Sequence, residues 1–546
     1  MIAIDAKSGT PVWSVQTFEK NAAAYITGAP RVFDGKVIIG YAGETGKFRG
    51  YVTTYDAETG KLLWRFYTVP GDPAQGFENQ AMRMAAKTWE GPWWKSGGGG
   101  AVWNAFAYDA QTRTIFFGTG EGYPKNRRAR SQDKGDNLFT SSIVALDGKT
   151  GAYKWHYQLN PGDTWDYDAT MDIELADLTI GGKPRKVLMQ APKNGFFYVI
   201  DRVTGQLIGA DPYVKVTWAS RIDLKTGRPI ETPGARYPNG TTADIWPSGG
   251  IGGHSTMPMA YSPQTRLVYI PAVDLRYRYS DRGIDLRKWQ PPNDRTIDDA
   301  FNIDVSDPDI LHGTGELLAW DPVTQKAAWK VPYPTMVNGG VVATAGDLVF
   351  QGTLDGQFRA YSASSGQVLW SFAAQAPILA APISYSVNGK QYVTVLTGVN
   401  GPMMIIPPQT TGIEGTDPRS QARRVLTFSL GGSSSLPEAQ PVRLEAIADP
   451  QFKPDDKSAK AGEAAYFDHC VLCHGVSLIA GGQAPDLRRS GTPLSADVFA
   501  SVVRGGVYVP QGMPAFSELT DQQLSDLRQY IRTEAERLRK EHTQDH

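Results

Sequence analysis

Asp56-Ala-Glu-Thr-Gly60-Lys-Leu-Leu-Trp64 decides the fold, because the pattern it carries recurs along the chain. An Asp or polar residue opens a turn, a glycine follows four residues on, and a Trp comes three or four residues later. The copies run from Asp5 to Trp13, Asp56 to Trp64, Asp147 to Trp155, Asp321 to Trp329 and Ser362 to Trp370, with a Trp-less version from Asp201 to Ile208. Each copy reads as a strand, a turn and a strand, and one such unit cannot bury its own apolar face. Radially packed four-stranded blades solve that problem, so the pattern predicts a β-propeller rather than the unrelated hairpins of a sandwich.

Composition agrees. Fourteen Trp, 58 Gly and 37 Pro suit many short strands joined by tight turns. Across 546 residues, 55 Lys and Arg nearly cancel 56 Asp and Glu, so no net field draws the chain to nucleic acid or to an anionic surface. No run approaches the roughly 18 apolar residues that a membrane-spanning helix needs.

The end of the chain has a different grammar. Its two cysteines stand in Cys470-Val-Leu-Cys473-His474. Two thiols at this spacing form thioether bonds to the two vinyl groups of a haem, and the next residue offers an imidazole to the iron. A helix containing Gly462, Tyr466 and Phe467 is expected to run into the motif. A last helix is expected to start at Thr520, capped with Gln523 and presenting Leu524, Leu527 and Ile531 on one face. Between them Gly512-Met513-Pro514 can present a thioether, so His474 and Met513 are expected as the axial pair. The combination resembles the class I cytochromes c. Residues 430–459, with Gly431-Gly-Ser-Ser-Ser435 and several prolines, read as a linker. The expected domains are therefore 1–429, a propeller, and 460–546, a small all-α cytochrome c domain.

Several blocks carry a wider resemblance. They are Gly97-Gly-Gly-Gly-Ala-Val-Trp103, Gly135-Asp-Asn-Leu-Phe139, Pro161-Gly-Asp-Thr-Trp-Asp-Tyr167, Val187-Leu-Met-Gln-Ala-Pro-Lys-Asn-Gly-Phe-Phe-Tyr-Val199 and Thr344-Ala-Gly-Asp-Leu-Val-Phe-Gln-Gly352. In this order, ahead of a cytochrome, they resemble the quinohaemoprotein alcohol dehydrogenases, which hold pyrroloquinoline quinone on an eight-bladed propeller. The resemblance implies that an alcohol is oxidised to an aldehyde and that electrons leave through haem c to an external soluble cytochrome or copper protein. It also implies a periplasmic location, because haem is attached after export.

The resemblance assigns roles residue by residue. Trp103 matches the indole on which the quinone stacks, Lys193 the cation beside the reactive quinone oxygen, and Thr27 a hydroxyl bonded to a cofactor carboxylate. Asp166 matches the general base, with Asp163 the competing carboxylate. Asp168, two residues beyond Asp166, would share its face in an extended segment. Family members with an acid at that place use a lanthanide ion, and those with a small or neutral residue use calcium. Glu121 stands where a liganding Asn is usual, and Glu44 lies beside the position of a liganding Glu, which aligns to Thr45. Glu44, Glu121, Asp166 and Asp168 are thus the expected metal ligands. So many carboxylates favour a lanthanide over calcium, the alternative.

Departures accompany the match. Val337 replaces a Trp expected before Asn338, and Ser255 replaces an Asn expected after His254. The opening Met1-Ile-Ala-Ile-Asp-Ala already lies inside a repeat, so a signal peptide and about a blade are expected ahead of it. The chain alone is then expected to be weakly active or inactive. The competing functional class is a degenerate propeller that serves as a scaffold for the cytochrome, without quinone catalysis.

Overall fold

The computed structural model describes residues 1–18, 24–42, 48–290, 299–304, 313–398, 421–437, 445–475, 478 and 484–544. The chain divides into two compact units, Met1–Phe350 with Ala360–Leu369, and Gln351–Arg359 with Trp370–His546.

Propeller-type antiparallel sheets of four strands fill the first unit. One comprises Arg31–Phe33, Lys36–Ile39, Tyr51–Asp56 and Leu62–Tyr67, and the next Phe106–Asp109, Thr114–Gly118, Ser142–Asp147 and Tyr153–Gln158. Two more comprise Glu174–Ile180, Lys183–Gln190, Phe196–Asp201 and Leu207–Pro212, and then Ala260–Ser262, Leu267–Asp274, Thr314–Asp321 and Lys326–Pro332. Strands bond in chain order within each sheet, as expected for blades.

The repeated turn explains both the sheets and their stacking. Asp56 Oδ1 accepts the N–H groups of Glu58 and Thr59, closing the turn, and Gly60 takes a left-handed φ of 70°. That glycine also lies under the Trp of the preceding copy. A Cβ on Gly60, Gly151, Gly205 or Gly366 would come within 2.6 to 2.8 Å of the indoles of Trp13, Trp64, Trp155 and Trp329 respectively. Glycine is needed there twice over, for its φ and for the close approach. The Asp321 copy departs from the pattern, since Gln325 holds the left-handed position at φ 56°. Apolar faces then join neighbouring sheets: Ile38, Val52 and Phe66 of one pack with Ile115, Phe117 and Val144 of the next. Burying each such side chain contributes about 1.5–3 kcal/mol, which a lone hairpin cannot gain.

The second unit holds the sheet Ile383–Val387, Lys390–Leu396 and Val425–Phe428, followed by helices Asp456–His469, Val471–His474, Ala496–Val503 and Asp521–Gln544. The expected capping box is present: Gln523 N donates to Thr520 Oγ1 at 3.2 Å and Thr520 N to Gln523 Oε1 at 3.0 Å. Leu524, Leu527 and Ile531 are buried as the periodicity requires. Gly462 lets the helix Asp456–His469 approach the last one, because a Cβ there would meet the Asp526 carbonyl oxygen at 1.9 Å. The helix Ala496–Val503, capped by Ser495, was not expected; eight residues give too little periodicity to stand out.

Part of the stretch read as linker has its own packing. Arg532 donates to the Ile447 carbonyl and lies 3.5 Å from Asp449, while Ala446 packs on Ala535 and Leu538. A polar composition alone did not reveal these few anchoring residues.

Candidate functional site

The segment Asp163–Asp168 is a loop whose aromatic residues are sunk in the first unit. Trp165 Nε1 donates to the Ala235 carbonyl at 2.9 Å, and the Tyr167 hydroxyl to that of Pro247 at 2.6 Å. Asp163 turns inward, and its Oδ2 accepts the N–H groups of Asp166 at 3.1 Å and Tyr167 at 3.2 Å. Held this way, Asp166 takes a φ of 76°, a costly conformation for a non-glycine residue that its surroundings must enforce.

Asp166 and Asp168 do converge, but not by strand alternation, since the segment is not a strand. Their carboxylate oxygens and one from Glu121 all lie within 4.8 Å of one another. Glu121 N donates to Asp168 Oδ1 at 3.0 Å, and Lys193 Nζ stands 2.5 Å from Asp168 Oδ2 and 3.3 Å from Asp166 Oδ1. A second ammonium belongs to the cluster. Lys125 Nζ lies 3.2 Å from Asp166 Oδ2, 3.5 Å from Glu121 Oε1 and 3.2 Å from Asp299 Oδ2. Lys125 and Asp299 were missed in the sequence, where no local spacing ties either to Asp166.

Electrostatics follow from burial. Desolvation, then the Glu121 charge, push the Asp168 carboxyl well above its ordinary range. Burial would lower the Lys193 ammonium, but the carboxylates of Asp166, Asp168 and Glu121 outweigh it and raise the group. Asp163 is pushed up to about 7, chiefly by desolvation. It is enclosed and its Oδ2 is taken up by backbone N–H groups, which suits a holder of the loop better than a base.

Trp103 is half-buried, with Lys193 Nζ 6.0 Å from the centre of its ring. The preceding Gly97 to Gly100 all have φ between 71° and 81°, so the approach to Trp103 is a path only glycines follow easily. Thr27 is exposed and donates to the Trp103 carbonyl at 3.0 Å. Glu44 and Thr45 lie outside the described residues. Val337 and Asn338 are buried, and the ring nitrogens of His254 face the carbonyls of Ala191 and Met257 at 2.7 and 2.6 Å. The planar indole, ammonium and carboxylates fit a flat anionic quinone beside a multivalent cation.

At the other end, His474 is buried and its Nδ1 lies 2.9 Å from the Pro485 carbonyl oxygen. A carbonyl can only accept, so Nδ1 carries the proton and Nε2 keeps the lone pair that a metal takes. Burial, with Cys473 next, pushes the Cys470 thiol up to about 12, whereas Cys473 is exposed. Met513, like Cys470, Leu487 and Phe516, packs against the core that contains Tyr466, Phe499 and Leu519, on a loop that exposes Val507, Tyr508 and Val509. Two thiols, a tautomer-fixed imidazole, a thioether and apolar surface suit a haem.

Comparison with known proteins adds to this geometry. A profile described as glucose/ethanol/alcohol dehydrogenase, beta-propeller domain, matches residues 18–216 and 300–393, and one described as cytochrome C oxidase, cbb3-type, subunit III, matches 457–531. The chain is 47% identical over 535 residues to quinohemoprotein alcohol dehydrogenase ADH IIB of Pseudomonas putida, covering 97% of this chain and 76% of that one. The solved structure of quinohemoprotein alcohol dehydrogenase ADHIIG of Pseudomonas putida superposes with a TM-score of 0.90 at 44% identity, covering 99% of this chain and 79% of that one. A europium-containing methanol dehydrogenase matches with a TM-score of 0.65 at 32% identity, covering 75% of this chain and 72% of that one.

Proposed function

Since this chain belongs to the quinohaemoprotein alcohol dehydrogenases, we propose that it oxidises an alcohol to an aldehyde with pyrroloquinoline quinone and passes the electrons through haem c to an external acceptor. The observation that carries this reading is the convergence of Asp166, Asp168, Glu121 and Lys193 in a site that also holds Trp103. A mere scaffold would have no use for buried carboxylates, which are costly unless they hold something.

Bound quinone supplies an acceptor for the hydride that leaves the alcohol carbon. Asp166 takes the hydroxyl proton, and its strained backbone aims the carboxylate for that task. Lys193 holds positive charge where an oxyanion develops, Trp103 gives the flat stacking surface, and Thr27 would have to turn its hydroxyl from the Trp103 carbonyl to donate to a cofactor carboxylate. Glu121, Asp166 and Asp168, with Glu44, would hold the metal, which adds Lewis-acid polarisation. Three clustered carboxylates favour a lanthanide over calcium, the alternative, although the chain is more similar to the quinohemoprotein alcohol dehydrogenases, at 47% and 44% identity, than to the europium-containing methanol dehydrogenase, at 32%. Cys470 and Cys473 would carry the haem, with His474 and Met513 as axial ligands. The domains are taken as 1–429 and 460–546 with 430–459 between them, although Ala446 to Asp449 pack on the last helix and the helix Asp456–His469 starts before 460, and the location is taken as periplasmic, with a soluble cytochrome or copper protein as acceptor. Among the described residues no helix is long and apolar enough to cross a membrane.

The test is reconstitution of the protein expressed from its whole gene with quinone and either lanthanum or calcium, followed by haem absorbance on adding a panel of alcohols. Haem reduction by alcohol with lanthanum is expected. Reduction with calcium alone would reject the lanthanide, and reduction by no alcohol would reject the activity.

A further inference from the structure

Lys125 is built into place rather than draped over the cluster. Its carbonyl accepts from Arg130 Nη1 at 2.8 Å, and the same nitrogen takes the Pro124 carbonyl at 2.7 Å; Arg130 is itself buried. The next residue, Asn126, ties its N–H to the Asp299 carbonyl at 3.0 Å and its side-chain amide to that of Ala300 at 2.8 Å. Both Lys125 and its counter-charge Asp299 are thereby fixed against one another. Two ammonium groups grip the Asp166 carboxylate on different oxygens, Lys193 on Oδ1 and Lys125 on Oδ2, and Lys125 also faces Glu121.

We propose that Lys125 is a positioning residue that sets the charge preference of the metal site, holding the carboxylates of Asp166 and Glu121 and opposing a trivalent ion more than a divalent one. The inference rests on reading Glu121, Asp166 and Asp168 as metal ligands. Its physics is Coulombic: repulsion between a fixed ammonium and a nearby ion grows with the charge of the ion, so the penalty is half as large again for a trivalent as for a divalent cation. Asp299 tempers that penalty, because its carboxylate lies 3.2 Å from the same ammonium. Removing Lys125 should therefore move the preference toward trivalent ions, and removing the charge of Asp299 should move it the other way. A residue that only filled space or braced the loop would give no such opposed pair.

The experiment is terbium titration of the full chain freed of metal, read by tryptophan-sensitised luminescence, with calcium as competitor. Lys125→Met should raise the calcium-to-terbium ratio of dissociation constants by about tenfold, and Asp299→Asn should lower it by a similar factor. Lys125→Arg, which keeps the charge, should stay within about twofold of the parent protein. An unchanged ratio in Lys125→Met with a native circular dichroism spectrum, or a shift of both charge-removing variants in one direction, would overturn the proposal. Asp299→Asn decides alone if Lys125→Met does not fold. Glu121→Gln and Asp168→Asn separate the two claims. If terbium binding survives in both undiminished, the ligand assignment falls, and the proposal with it. If they lose binding while the ratio ignores Lys125, only the role of Lys125 falls.

Discussion

Cys470, Cys473 and His474 stand within five consecutive residues, while Glu121, Lys125, Asp166, Asp168, Lys193 and Asp299 come from four separate stretches of the chain. In the first region one short helix and a single imidazole-to-carbonyl contact orient the groups. In the second the orientation comes from buried aromatic anchors, a strained aspartate and an arginine reaching back to the loop that carries Lys125. The contiguous site depends on local covalent spacing and the assembled one on the integrity of a whole unit. Damage should therefore stay confined in the first and spread in the second.

The sharpest way to break this contrast is to remove the thiols. Cys470→Ser with Cys473→Ser should eliminate covalent haem completely, read by haem staining after denaturing electrophoresis, and should leave terbium binding by the carboxylate cluster unchanged. Loss of both would mean that the regions are not separable.

Next in size, Met513→Ala should abolish the sulfur-to-iron absorption band at the red end of the spectrum while the haem stays covalently attached. A retained band would place the sixth ligand elsewhere.

A remote change in the repeat should be felt at the assembled site alone. Gly151→Val forces a β-branched residue to φ 71° against Trp64 and should cost roughly 2–3 kcal/mol in urea unfolding. Terbium affinity should fall with it, and haem attachment should not.

The smallest expected effect is on pH dependence. Burial pushes Asp172 up to about 7 and Glu174, with Asp172 adding to the burial, up to about 8. Unfolded, both titrate near 4. The native state thus keeps protons that the unfolded state releases between about pH 4 and 8, so stability should fall as pH rises through that window. Asp172→Asn with Glu174→Gln should flatten the slope, measured as melting temperature against pH.

Legibility in the sequence follows the same division. The haem motif, the capping box at Thr520 and the tryptophan turn all depend on near neighbours in the chain, so their spacing exposes them. Asp166 and Asp168 were expected to meet by strand alternation, yet they meet because Asp163 holds a non-extended loop. Lys125 and Asp299 give no such hint, since their pairing exists only once distant segments dock. Gln325 shows the limit of the repeat itself: a left-handed turn position can be filled without glycine when the rest of the turn is bonded.

The most direct test of the account takes protein expressed from its whole gene and loaded with quinone and metal, mixes it anaerobically with alcohol, and follows the haem absorbance in the parent and in Asp166→Asn. The parent should show haem reduction, and the variant, with its haem spectrum intact and assayed at metal concentrations that saturate its site, should reduce at least about a hundredfold more slowly. Equal rates would contradict the assignment of Asp166 as the base on which the proposed reaction depends.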